Sequence, residues 1–212
     1  MIQFLNPNIS ARVTQAMVTI AQATRPDVPV QGITAPIGAL MITEPQALAE
    51  SARAIATMGQ SLPAGTRGVV VSAFGDPGID NLRCALSVPV TGIGEASFLE
   101  AGADGRRFGI ATTTPLLDQA IHDRVAASAV ARQFIGCSYT EGDPVALTLQ
   151  PETLLDALSQ AIRQSIGAGA EAVIIGGGPL AMAARKLADS FEIPIIEPVP
   201  AAMRRICALL GI

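Results

Sequence analysis

Two stretches of the chain set small residues at a point where an apolar strand gives way to a helix. In VVVSAFGDPGID, residues 69–80, the strand runs into Ser72, Ala73 and Phe74 and then a Gly75-Asp76-Pro77-Gly78 turn. In AVIIGGGPLA, residues 172–181, it runs into Gly176, Gly177, Gly178 and Pro179. Backbone N–H groups at a strand-to-helix turn have no partner within the helix and are free to bind an anion or an oxyanion. Gly177 and Gly178 allow close approach of a ligand to the backbone, and Phe74 and Gly75 offer a matching pair of donors. The chemistry such loops support is stabilisation of negative charge on a carbonyl oxygen. Two further loops fit that role. Asn6-Pro7-Asn8-Ile9-Ser10 reads as a helix N-cap segment and also as a platform for a carboxylate or imide, through Asn8 and Ser10. The run Thr112, Thr113 and Thr114 offers the same from elsewhere in the chain.

The elements that position these loops alternate regularly. Short apolar, β-branched runs predict strands at 2–6, 28–34, 68–74, 88–93, 107–112, 132–138, 171–176 and 193–197. Helical patterns fall near 10–24, 44–60, 78–86, 95–102, 115–128, 152–167, 179–190 and 200–210, several opened by Ser, Thr or Pro. Continuous apolar strands separated by helices imply parallel sheet buried on both faces.

The two halves of the chain resemble each other. VVVSAFGDPGIDNL followed by SVPVTGIGEAS answers to VIIGGGPLAMAARKL followed by EIPIIEPVPAA. Ala73 and Gly177 correspond at 104 positions, Pro89 and Pro194 at 105, and IQFLNP at 2–7 answers to FGIATTTP at 108–115. A closed eight-stranded barrel typically needs ~250 residues. The 212 residues here fit better an α/β fold of two pseudosymmetric doubly wound lobes, each a four-stranded parallel sheet flanked by helices. The expected division is 1–103 and 104–212, with a terminal helix at 200–212 free to pack on the first lobe. Ligands of open parallel sheets sit beyond the carboxyl ends of the strands, which gathers the four loops around one cleft.

Composition narrows the partners. Lys+Arg 14 against Asp+Glu 18, one tyrosine and no tryptophan offer neither a track for phosphates nor a stacking platform, so nucleic acid is not expected. No apolar stretch nears the ~20 residues of a membrane span, and MIQFLNPN is not a signal sequence, so a cytoplasmic protein is expected. Cys84, Cys137 and Cys207 are widely and irregularly spaced, as reduced, buried thiols would be. His122, the one histidine, lies mid-helix and reads as a surface residue; no metal-ligand spacing occurs, and no metal is expected. GGGPLA with Glu197 matches a dinucleotide fingerprint, but only 15 residues follow Glu197 and Pro179 removes an N–H that would face the pyrophosphate.

With these motifs in place, the sequence resembles the aspartate/glutamate/hydantoin racemase superfamily, and within it the hydantoin and allantoin racemase branch. The resemblance rests on LNPNIS, TAPIGALMI at 34–42, SAFGDPG at 72–78, PVTGIGEA at 89–96, the ATTTP loop and AEAVIIGGGPLA at 170–181. It implies two pseudosymmetric lobes, no cofactor, a homo-oligomer, and a small carboxylate or cyclic imide or ureide as ligand. It also implies a cleft in which two cysteines face a Cα–H, one thiolate removing the proton while the opposite thiol returns one. The two cysteine positions read Ala73 and Gly177 here, and neither residue carries a proton. A base would then come from elsewhere: Asp76 and Glu95 are the nearest carboxylates, each also suited to opening a helix, with Ser72, Ser10 and the threonines as hydrogen-bond donors. The family's decarboxylase branch keeps a single cysteine, so a decarboxylase or a binding protein for a small carboxylate or imide stands beside a racemase acting at the carbon next to a carbonyl.

Overall fold

Runs of Val, Ile and Phe without a polar face are stable as strands only where helices cover both sides of the sheet. Four such runs form the sheet centres in the computed structural model, which describes residues 1–212. These are Ile2–Asn6 (β1), Gly68–Val71 (β3), Phe108–Thr112 (β5) and Ala172–Ile175 (β7), buried along their whole length. Val30–Thr34 (β2), Val90–Gly92 (β4), Phe134–Tyr139 (β6) and Ile195–Ile196 (β8) flank them. Every pairing is parallel, in two four-stranded sheets of order β2-β1-β3-β4 and β6-β5-β7-β8. The second order is the first repeated four strands later. The α/β fold of two parallel sheets is therefore the one read from the sequence.

The internal repeat extends to single hydrogen bonds. Ser72 N donates to Leu5 O at 2.8 Å, and Gly176 N to Ala111 O at 2.9 Å. Val69 N donates to Pro89 O at 2.9 Å and Val173 N to Pro194 O at 3.0 Å. Ser72 and Gly176 are thus equivalent positions, and the residues that follow them, Ala73 and Gly177, are equivalent too.

Nine α-helices cover the sheets: α1 (Ala11–Thr24), α2 (Pro45–Gly59), α3 (Ile79–Ala85), α4 (Ile93–Ala101), α5 (Asp118–Ala126), α6 (Pro144–Thr148), α7 (Pro151–Gly167), α8 (Ala181–Leu187) and α9 (Pro198–Leu210). Ser10 caps α1, its Oγ accepting from Val13 N at 3.3 Å. Several boundaries differ from the sequence reading. β3 ends at Val71 because residues 72–75 leave the ladder, and Ile93 opens α4 instead of ending β4. The helices expected at 115–128 and 179–190 each begin with a 3-10 turn, Pro115–Leu117 and Gly178–Leu180, set by the prolines. α6 was not anticipated, although Asp143-Pro144 is a start signal: the Asp143 carboxylate accepts from Ala146 N at 2.8 Å.

The two sheets share one apolar core. Phe4 and Val70 of the first sheet belong to the same cluster as Phe108, Ile110 and Ile174 of the second. An aromatic chain crosses it, from Phe74 to Phe98 (centroids 5.6 Å), Phe108 (6.4 Å) and Phe134 (5.5 Å). α9 packs on α1, α4, β3 and β4, and Arg204 at its surface pairs with Glu100 at 2.7 Å.

Candidate active site

The carboxyl ends of β1, β3, β5 and β7 meet in a small cavity of about 50 Å³. Ser72, Ala73, Phe74 and Gly75 line it from the first sheet, Gly176 to Pro179 from the second, with Asn8, Thr113 and Thr114 beside them. Nine of the candidate residues read from the sequence, besides the pair Ala73 and Gly177, thus fall together: Asn8, Ser72, Phe74, Gly75, Thr113, Thr114, Gly178 and Pro179 line the cavity, and Thr112 stands behind it. Thr112 Oγ1 donates to Gly176 O at 2.7 Å, so it fixes the glycine loop and does not reach a ligand.

The loops meet tightly. A Cβ placed on Gly176 would stand 2.6 Å from Phe74 Cε1, and one on Gly178 would lie 3.2 Å from Ser72 O. Gly177 has φ 146°, a conformation that L side chains rarely adopt. The glycines of GGGPLA therefore serve the junction between the two loops. Glu197, the acid of the fingerprint pattern, instead precedes α9 and pairs with Arg185 at 3.2 Å.

The backbone of the cavity is rich in unpartnered donors. The N–H groups of Ala73, Phe74, Gly75, Thr113, Thr114 and Gly177 have no acceptor within the protein. The Thr113 hydroxyl is buried and likewise has no partner. Asn8 Oδ1 accepts from Asn6 Nδ2 at 2.8 Å and from Ser10 N at 2.9 Å, which fixes the side chain and leaves its amide donor uncommitted. Ser10 is spent on capping α1 and faces a neighbouring cavity, outside this one.

No ionisable side chain lines the cavity. Asp76 and Glu95, the carboxylates singled out from the sequence, both lie outside it. Asp76 is buried with φ 46°, and its carboxylate accepts from Gly94 N at 2.8 Å and Glu95 N at 2.7 Å. It therefore caps the distant α4 and not the adjacent α3, which is preceded by Gly78 in the left-handed conformation. A Cβ on Gly94 would collide with Phe74 O, so the glycines of GIGEA let this loop seat on the helix end. Burial pushes the Asp76 carboxyl up to about 7, against the downward pull of the two N–H donors and of Arg124, whose Nε lies 3.5 Å away. Glu95 accepts from Thr91 Oγ1 at 2.9 Å and pairs with Arg83 and with Arg124, the latter at 3.4 Å. Arg124, on α5 of the second half, thus joins Asp76, Asp80 and Glu95 of the first. Its part in the site region was missed in the sequence, since nothing local to α5 marks it.

The thiols stand apart as well. Cys84 is exposed, against the expectation of a buried residue, Cys207 is buried on the inner face of α9, and Cys137 is half-buried on β6. Burial pushes the Cys137 thiol up to about 11. Asp118, His122 and Cys137 lie within 4.8 Å of one another at their ligand atoms, a grouping the sequence spacing hid; Asp118 also accepts the Tyr139 hydroxyl.

This geometry has known counterparts. The family model of Asp/Glu/hydantoin racemases matches residues 2–206. The chain belongs to that family. Hydantoin racemase of Paenarthrobacter aurescens is 27% identical over 136 residues, 64% of this chain and 58% of that protein, so the aligned part spans less than two thirds of the relative. Allantoin racemase from Klebsiella pneumoniae superposes with a TM-score of 0.87 at 25% identity, covering 99% of this chain and 87% of the other. Allantoin racemase from Pseudomonas fluorescens gives a TM-score of 0.92 at 22% identity, covering 99% and 90%. Within the family, this member's cleft has Ala73 and Gly177 at its two equivalent loop positions and no thiol along its wall. No helix is long and apolar enough to cross a membrane.

Proposed function

We propose that the protein is a racemase-like member of its family that binds a small hydantoin- or amino-acid-like carbonyl compound and stabilises the enolate formed at the carbon beside the carbonyl. The observation that carries this reading is the set of unpartnered N–H groups of Ala73, Phe74, Gly75, Thr113, Thr114 and Gly177 around one small cavity. Donors held in place before reaction stabilise a developing oxyanion without reorganisation, and a single such donor is worth about 10²–10³ in rate. The activities named for the relatives support the same class of substrate.

With alanine and glycine at the paired positions, the proton leaves to water and returns from water, the electron pair of the C–H bond resting meanwhile on the bound carbonyl oxygen. Asn8 and Thr113 orient the ligand, and Ser72 shapes the floor. Asp76 and Glu95 hold the loop and take no proton from the ligand. No cofactor takes part, and the protein acts in the cytoplasm as a homo-oligomer, as the family resemblance implies. Exchange of the ligand's α-proton for deuterium tests it. A second reading, favoured by the lack of any ionisable side chain in the cavity wall, is a protein that holds the same ligand without turning it over; tight binding without exchange would select it.

A further inference from the structure

The cavity at Ala73 and Gly177, about 50 Å³, is smaller than the roughly 300–1,000 Å³ that sites for small molecules usually span, so a substituent on a ligand held there extends beyond it. A second cavity of about 340 Å³ adjoins it, and Met41, Gly178 and Pro179 line both. This groove runs between α1 of the first half and α8 of the second, which touch. Eleven of its 18 lining residues are hydrophobic. Leu40, Val145, Leu149 and Met182 keep 61, 39, 73 and 52% of their surface exposed around it.

Its charges have one sign. Arg12 and Lys186 are the charged residues of the lining, and no carboxylate is among them. Neither cation has an ion pair or a side-chain hydrogen bond, although Arg185, the residue before Lys186, is paired with Glu197. An apolar floor with two uncommitted cations is complementary to an apolar segment that ends in an anion.

We infer that this groove is the distal subsite of the ligand, and that the ligand is a carbonyl compound of the class proposed above whose substituent is an unbranched apolar chain with a terminal carboxylate or other anionic group. The inference rests on that functional reading for the position of the carbonyl. Its own content is the length and terminal charge of the substituent.

Calorimetric titration of the full chain with two probes tests it: a hydantoin bearing an unbranched alkyl substituent, and the same hydantoin with a carboxylate at the chain end. The carboxylate form should bind several-fold more tightly, up to about 25-fold, since each exposed ion pair contributes up to about fivefold and two cations are present. That preference should disappear in the Arg12→Glu/Lys186→Glu double variant and shrink with added salt. Both positions are exposed on helices, and an unchanged melting temperature would show that the variant is folded. Equal affinity for the two probes, binding of neither, or a preference that survives the double variant would overturn the inference. So would a concentration-dependent dimer of the parent that the double variant abolishes while the probes bind alike, which would make the groove a contact between copies. Failure of the functional reading looks different: unsubstituted hydantoins, amino acids and arylmalonates would then show no α-proton exchange, irrespective of any tail.

Discussion

The ring of Phe74 lies directly over Gly176, so that a methyl group on that glycine would come within 2.6 Å of Phe74 Cε1. One residue follows β3 and the other follows β7, so this contact joins the two halves of the molecule at the edge of the cleft. Gly176→Ala should destabilise the protein by about 1–3 kcal/mol through overpacking. Phe74→Leu should recover part of that loss in the double variant, and the non-additivity of the two changes in denaturant unfolding measures the contact. Additive effects would mean that the loops separate freely.

Ala73 and Gly177 are equivalent in the repeat but not in backbone. Gly177 has φ 146°, whereas Ala73 has no positive φ. Ala73→Cys should therefore fold like the parent, whereas Gly177→Cys should lose about 1–3 kcal/mol to backbone strain. Thermal melts of the two single variants check this, and equal melting temperatures would contradict it. The thiol of the second loop is thus harder to install than that of the first.

Asp76 links stability to pH. Its carboxyl, at an ordinary 3.8 when exposed, is pushed up to about 7 by burial. An acid whose folded value is raised stabilises the fold fully below about 4, and that contribution is lost as pH climbs through about 7, because the unfolded chain releases the proton first. Asp76→Asn removes one of the acceptors for Gly94 N and Glu95 N and should cost about 1–3 kcal/mol at pH 4–5. The gap between variant and parent should narrow steadily towards pH 7 in urea titrations. A gap that widens instead would show that Arg124 keeps Asp76 ionised.

Much of this was legible in the sequence because it is written locally. Short β-branched apolar runs such as Val69–Val71 and Ala172–Ile175, set between helical patterns, suit strands of a parallel sheet covered on both faces, and the repeat that pairs Pro89 with Pro194 is visible by eye. The loops gather at one cleft because the strands are parallel and their carboxyl ends point one way. What was hidden depends on contacts between distant segments. Asp76 was readable as a cap, but the helix it caps begins only at Ile93, and its distance from the cavity is set by how the turn seats on Gly94. Arg124 reaches three carboxylates from the other half of the chain, and Cys137 meets Asp118 and His122 only once β6 lies beside α5. The groove with Arg12 and Lys186 has no signature at all, since its residues come from four separate segments.

The proposed function requires that a cleft with backbone donors and no thiol still stabilise an enolate. NMR-detected exchange of the α-proton in D2O, across substituted hydantoins and allantoin, with the parent and Ala73→Cys side by side, tests it most directly. Exchange above the buffer rate is expected with the parent, and a further gain of about 10²-fold or more when the thiol of the Ala73→Cys variant supplies a base. Binding of the hydantoins with no exchange above buffer in the parent would contradict it and would leave the protein a binder built on a racemase fold.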